Sequence, residues 1–376
     1  MRKVNSYSLL GYLISTFLKT VIMVKIFLTL LCTMFLTSCN AVGSKQFNLG
    51  NKKAKTDRNN TKLCVFGNVD SRPALWINHK RVILKDDDKS LSLNDMRGSV
   101  LAAVTEGENI YALCGNDKEL VLWENNNATV ICSVEVQNVA EIVVENGVPA
   151  AYFVTTNDVG EAELKRYCNG KTTTLLASED FRYCFLRDIA VVNGKVYGAL
   201  NTASQFGEAA VLADGKVTLL EKYMSEAYQI KIDGTDVFVC GSKFTGKQFD
   251  DSPEGENPSS AAIWRNGKAK TFAEEGRAMA IDTDKQGNLY AAVCNIGVGD
   301  DKCTLWKNGK KIKDITSAWN IEVVFLSVNG DNILIVGSEE SEGIGGVNGV
   351  FVWENGKKTY LYEGAENVQL HGATCK

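Results

Sequence analysis

The chain has 376 residues, 45% apolar and 23% charged, with 33 glycines against four prolines. That balance excludes extended disorder and favours strands joined by glycine turns over helices. The formal net charge of -4 is unevenly held, because residues 63–376 contain 31 basic and 44 acidic groups, or -13, and so acidic a body excludes nucleic acid as a partner.

Residues 1–38 carry Arg2, Lys3, Lys19 and Lys25 and no acid, and "IFLTLLCTMFL" (26–36) follows Lys25 directly. A short apolar run behind a positive group has the shape of a secretory signal. It ends in Leu36-Thr37-Ser38-Cys39, which resembles the lipobox of bacterial lipoproteins. The resemblance implies removal of 1–38, attachment of diacylglyceryl and palmitate to Cys39, and a lipid-anchored place in the cell envelope, at the outer membrane. Residues 39–61, rich in Asn, Lys and Gly and without hydrophobic periodicity, read as a flexible tether.

From residue 62 onward one phrase recurs. It reads Trp76-Ile-Asn78, Trp123-Glu-Asn125, Tyr167-Cys-Asn169-Gly, Leu212-Ala-Asp214-Gly, Trp264-Arg-Asn266-Gly, Trp306-Lys-Asn308-Gly and Trp353-Glu-Asn355-Gly, at steps of 47, 44, 45, 52, 42 and 47 residues. Asn-Gly and Asp-Gly tolerate the positive φ values of a type I′ turn, so each phrase predicts a tight hairpin. A second hairpin precedes most copies, as in "DIAVVNGKVYGAL" (188–200) and "MAIDTDKQGNLYAAV" (279–293). Each unit is therefore expected to hold four strands, A to D.

A period in the forties with this content indicates propeller blades, and the tryptophans are expected to pack between them. The repeats resemble the NHL-like and YVTN-like β-propellers of bacterial exported proteins. The expectation is an all-β, seven-bladed propeller spanning 62–376, with six or eight blades as the alternatives. The strand-like "KLCVFGN" (62–68) and "GAENVQLHGATCK" (364–376) would complete one blade from both termini.

The A–B and C–D turns are short and share one end, whereas the longer B–C and D–A loops share the other, where recognition is expected. Arg97, Arg187, Tyr228, Arg277 and Trp319 stand just before inner strands, and Phe244 and Phe249 belong to the 241–261 insertion. The arginines suit an anionic group on a glycan or protein partner; the competing reading pairs each with a local acid, Asp188 or Glu274. Asp86 to Asp88, Asp250-Asp251 and Asp300-Asp301 lack the spacing of a metal loop and read as solvated charge.

Only His79 and His371 are present, and no Gly-rich phosphate loop leads into a helix, so no metal, nucleotide or other cofactor is expected. Cys64, Cys114, Cys240 and Cys294 read as small buried residues at a common place in strand B. Cys294 with Cys303, and Cys64 with Cys375, are candidate disulfides. The functional expectation is a non-catalytic binding or scaffolding module for an envelope protein or glycan; the alternative is a carbohydrate-active hydrolase or lyase.

Overall fold

The computed structural model describes residues 62–84, 98–115, 118–133, 136–156, 162–177, 184–202, 207–245, 259–295, 301–341 and 347–375. The signal segment, Cys39, the tether, Arg97, Phe249, Asp86 to Asp88, Asp250-Asp251 and Asp300 lie outside them. The chain divides into Met1–Arg58 and Asn59–Lys376, and every described residue belongs to the second unit.

The fold is an all-β propeller. β1 (Leu63–Val69), β2 (Arg72–Ile77) and β3 (Lys80–Val82) form a four-stranded sheet with the C-terminal β27 (Val368–Cys375), which pairs antiparallel with β1. Next come β4 (Ser99–Glu106) to β7 (Asn127–Cys132) through β5 (Asn109–Gly115) and β6 (Leu120–Glu124). β8 (Val136–Glu145), β9 (Val148–Thr156), β10 (Ala162–Cys168) and β11 (Lys171–Leu176) make the third sheet. β12 (Cys184–Val192), β13 (Lys195–Thr202), β14 (Ala209–Ala213) and β15 (Lys216–Leu219) make the fourth. β16 (Ser225–Asp233), β17 (Asp236–Phe244), β18 (Ser259–Arg265) and β19 (Lys268–Ala273) make the fifth.

The expected succession of separate four-stranded sheets stops there. β20 (Arg277–Thr283), β21 (Leu289–Asn295), β22 (Asp301–Lys307), β23 (Lys310–Asn329), β24 (Asn332–Glu340), β25 (Asn348–Glu354) and β26 (Lys357–Gly364) lie in one seven-stranded sheet. The cause is β23, twenty residues that contain neither glycine nor proline and so offer no breaker. Its first half pairs with β22 as far as Ala318, and from Trp319 it pairs with β24. Asn320, at φ 47°, marks the change of partner.

The repeated phrase forms the predicted hairpins, with φ near 50° at Asn78, Asn125, Asn169, Asp214, Asn266, Asn308 and Asn355. The asparagine also does something the sequence did not disclose. Asn308 donates its backbone N–H to the Leu289 carbonyl at 2.8 Å, and its Oδ1 accepts the Leu289 N–H at 2.9 Å. Asn78, Asn125, Asn266 and Asn355 clasp Leu63, Ile110, Val237 and Ile333 in the same two-point way. The C–D turn is thus tied to the first residue of strand B, or to the residue next to it, and both partners' polar groups are satisfied.

Trp76, Trp123, Trp264 and Trp353 are at most 3% exposed. Trp76 packs with Val336, Val350 and Val352, and Trp123 with Phe66 and Leu75, so each seals a boundary between neighbouring sheets. Burial of an indole of this kind is worth about 3–5 kcal/mol against alanine. Cys114 and Cys294 are buried one residue before the ends of their B strands; Cys240 and Cys64, also buried, sit instead at the middle of β17 and the beginning of β1.

One irregularity recurs and positions the site. In every inner pair the register slips, at Leu101 in β4, within 137–139 in β8, at Arg187 in β12, Tyr228 in β16, Met279 in β20, Val324 in β23 and His371 in β27. A β-bulge exempts one residue from pairing and re-aims its side chain. Across from it the outer strand often carries glycine, because the inner backbone swings close: a Cβ at Gly241 would lie 1.8 Å from the Glu226 carbonyl oxygen, and one at Gly67 2.1 Å from that of Gln369.

Side chains of the inner strands, two of them directly after a bulge, tie successive inner strands together. Asp188 accepts the Ile230 N–H at 2.9 Å, Gln229 accepts that of Ile281 at 2.8 Å, and Asp282 accepts that of Val328 at 2.7 Å. Each satisfies a backbone donor on an inner strand that pairs on one side only.

Candidate functional site

A cavity of about 810 Å³ opens along the axis, lined by the opening residues of the inner strands. These strands run from the loop end toward the A–B turns, so the cavity occupies the end bearing the longer loops. Its wall includes the bulge residues Val139, Arg187, Tyr228, Met279, Val324 and His371. Arg187, Tyr228 and His371 form its polar arc, and Gln229 and Glu322 add to it.

Arg187 is exposed, and its guanidinium carbon lies 5.9 Å from the centroid of the Tyr228 ring, a cation–π distance. The Tyr228 hydroxyl donates to Glu226. Burial, then the Glu226 charge, pushes the phenol up, while Arg277 on the adjoining strand pulls it down. Tyr228 therefore remains a neutral donor at physiological pH.

Neither Arg187 nor Arg277 makes an ion pair among the described residues. Asp188, a proposed local partner, instead spends both carboxylate oxygens on the backbone N–H groups of Ile189 and Ile230, each at 2.9 Å. Burial still pushes its carboxyl up to about 6, against the pull of those two donors. Glu322 opens onto the cavity yet is enclosed by its walls; desolvation raises its carboxyl and the Arg187 charge opposes the rise.

His371 is pushed down to about 4 by burial, so its imidazole is neutral, and among the described residues Nε2 has no hydrogen-bond partner. Among the described residues no group of three or more His, Cys, Asp or Glu is placed to hold a metal ion.

Of the residues expected from sequence, Arg187 and Tyr228 are brought together in the wall, and Arg277 acts on Tyr228 from the next inner strand. Trp319 is 44% exposed, three positions before Glu322, while Phe244 is half-buried at the end of β17; neither lines the cavity. The sequence did not point to Glu322, Gln229, His371 or Phe185, the last 56% exposed on the cavity wall. Glycines inside B strands, Gly67, Gly241 and Gly337, were the available signal, since an isolated strand glycine marks a bulge or a close approach.

Cys294 and Cys303 are directly opposed in the β21–β22 ladder as free thiols, with Sγ atoms 3.0 Å apart. Cys375 is opposite Leu63, and Cys64 is opposite Thr374, so Cys64 and Cys375 occupy opposite faces of their sheet.

No known family model matches the chain, and no curated protein matches it. Among solved structures, it is similar to a puromycin-hydrolyzing peptidase of Mycobacterium tuberculosis, with a TM-score of 0.48 and 11% identity, over 80% of this chain and 53% of that one. The chain thus spans about half the length of that peptidase. It is also similar to the β-propeller domain of the trilobed protease from Pyrococcus furiosus, with a TM-score of 0.44 and 12% identity over 81% of this chain and 95% of that one. A polysaccharide lyase described as an ulvan lyase gives 0.45 and 8%, over 69% and 81%. At these similarities they carry no argument about what this chain acts on.

Proposed function

We propose that the chain is a lipid-anchored binding module of the bacterial cell envelope that captures an anionic group of a protein or glycan in the cavity at its loop end. The observation that carries this reading is the pair of guanidinium groups, Arg187 on the cavity wall and Arg277 on the adjoining inner strand, both acting on Tyr228 and neither held in an ion pair among the described residues. An unpaired arginine facing water-filled space presents its donor fork to a carboxylate, sulfate or phosphate at little cost in broken contacts. The lipobox-like Leu36 to Cys39 supports the anchor, and the cavity's position supports a partner approaching from the loop end.

The scaffold reading has seven blades, with β23 serving two of them and β27 completing the first. It is supported by the partner change inside β23, by the register slip that recurs in every inner pair, and by the β1–β27 pairing. Membrane attachment is tested by Cys39→Ala in full-length protein: palmitate labelling is expected to vanish and the protein to leave the membrane fraction. Retention of label would remove the anchor from the proposal.

For the cavity, Arg187→Ala with Arg277→Ala is expected to lower capture of envelope partners at least tenfold without changing the far-UV circular dichroism. Undiminished capture would place the site elsewhere. A second reading, a carbohydrate-active hydrolase or lyase, draws on Glu322, whose raised carboxyl suits a general acid. It requires turnover of an oligosaccharide that Glu322→Gln abolishes.

A further inference from the structure

We infer that Cys294 and Cys303 are an oxidation site, joined in the mature protein as a disulfide that staples β21 to β22 at the loop end. The argument begins with the ladder. Asn308 donates its N–H to the Leu289 carbonyl, across from which it lies once the register Tyr290↔Lys307 is continued by one residue. Leu289 and Asn308 are therefore a hydrogen-bonded pair, and no register shift interrupts β21 and β22. Counting five residues along, Cys294↔Cys303 falls on a non-hydrogen-bonded pair.

At such pairs the Cα atoms approach to about 4.5 Å and the side chains stand closer together, within the span a disulfide accepts. The two sulfurs are already 3.0 Å apart, and both residues are fully buried among Leu305, Ile315, Ile321 and Val323. A bond there requires the sulfurs to close by about 1 Å and no change of strand pairing.

The bond forms by exchange with the disulfide of an envelope thiol–disulfide oxidoreductase. One thiol loses its proton and its thiolate attacks that disulfide, giving a mixed disulfide and releasing one oxidoreductase sulfur as thiolate. The second cysteine, deprotonated in turn, displaces the other sulfur. The cysteine pair loses two electrons and two protons, and the oxidoreductase leaves as a dithiol.

The hydrogen bond with Cys303 raises the Cys294 thiol well above its ordinary range, and burial, then the charges of Asp301 and Glu322, act in the same direction. A thiolate at this place is disfavoured once the sheet has closed. Exchange therefore belongs to folding, and the finished bond resists reductants that leave the native sheet intact. This inference rests on the exported reading for its oxidant, but not on the cavity.

The test uses the wild-type chain refolded in a glutathione redox buffer, then unfolded in guanidinium chloride with iodoacetamide and no reductant, and digested with trypsin. The expected product links peptide 286–302 to peptide 303–307, lighter by two hydrogens than the free thiol peptides together. Alkylated cysteine at both positions, or either cysteine bonded elsewhere, would overturn the inference. Native protein exposed to dithiothreitol is expected to keep the link, and after reduction in denaturant and refolding with dithiothreitol its Tm is expected to fall by about 5 °C. A link readily reduced in the native state overturns its placement in the buried ladder. Absence of the disulfide leaves the Arg187 and Arg277 experiment unaffected.

Discussion

At the scale of single residues, Asp188 and His371 face one cavity with opposed pH linkage. Asp188 is raised to about 6 in the folded chain, so the folded state takes up its proton first. Its carboxylate therefore lowers stability above pH 6, and acidification from about 6 to 4 relieves a cost on the order of 3 kcal/mol. His371 is lowered to about 4, so the unfolded chain takes up the proton first, and stability is lost as the pH falls from about 6.5 to 4. The two effects oppose each other over nearly the same window. Asp188→Asn is expected to steepen the loss of stability on acidification relative to wild type, and His371→Gln to convert it toward a gain. Urea midpoints at pH 4.5 and 7.5 check both signs; parallel curves for the three proteins would refute the opposition. Arg187 and Tyr228 were legible here because arginine and aromatic residues at the start of inner strands stand out. Glu322 was not, since a glutamate followed by four apolar residues in "NIEVVFL" reads as an ordinary exposed strand position.

At the scale of the element, the asparagine of five C–D turns, at 78, 125, 266, 308 and 355, serves two purposes, and substitution separates them. Asn308→Gly keeps the φ of 52° accessible but loses the side-chain acceptor for Leu289, an expected cost of about 1 kcal/mol. Asn308→Ala loses the acceptor and also strains the left-handed backbone, so its expected cost is about 2–3 kcal/mol. Equal destabilisation of the two in thermal unfolding would show that the clasp, rather than φ, dominates. The turns themselves were readable because their chemistry is local to two residues. The clasp was not, as it joins residues nineteen apart through a side chain whose alternative explanation, turn propensity, already sufficed. The long β23 was hidden for the converse reason: what distinguishes it is the absence of any breaker between Lys310 and Asn329, and an expected D–A loop was read into that silence.

At the scale of the whole molecule, the first sheet depends on both ends of its chain. β27 supplies the strand next to β1, places Thr374 to donate to the Ala103 carbonyl at 2.8 Å, and contributes Leu370 to the core with Trp76 and Val350. Deletion of 365–376 is expected to expose the β1 edge and leave a protein that binds a hydrophobic dye and aggregates, as read by size-exclusion chromatography. A monomeric, cooperatively unfolding truncate would show that β1 to β3 hold without β27. The period and the strand-like leftovers at the two ends pointed to this pairing, because a repeat of fixed length makes a missing strand conspicuous.

The bulges have an evolutionary consequence. A residue that answers to no ladder partner can be exchanged without disturbing the strands on either side, provided the opposing strand leaves room for the displaced backbone. Six of the seven inner strands, all but β4 with its buried Leu101, thereby contribute one such position to the cavity wall, held on a frame that is indifferent to its identity. Selection can rewrite the mouth of such a protein one side chain at a time, so close relatives are expected to keep the strand glycines while diverging at Arg187, Tyr228, Met279 and His371.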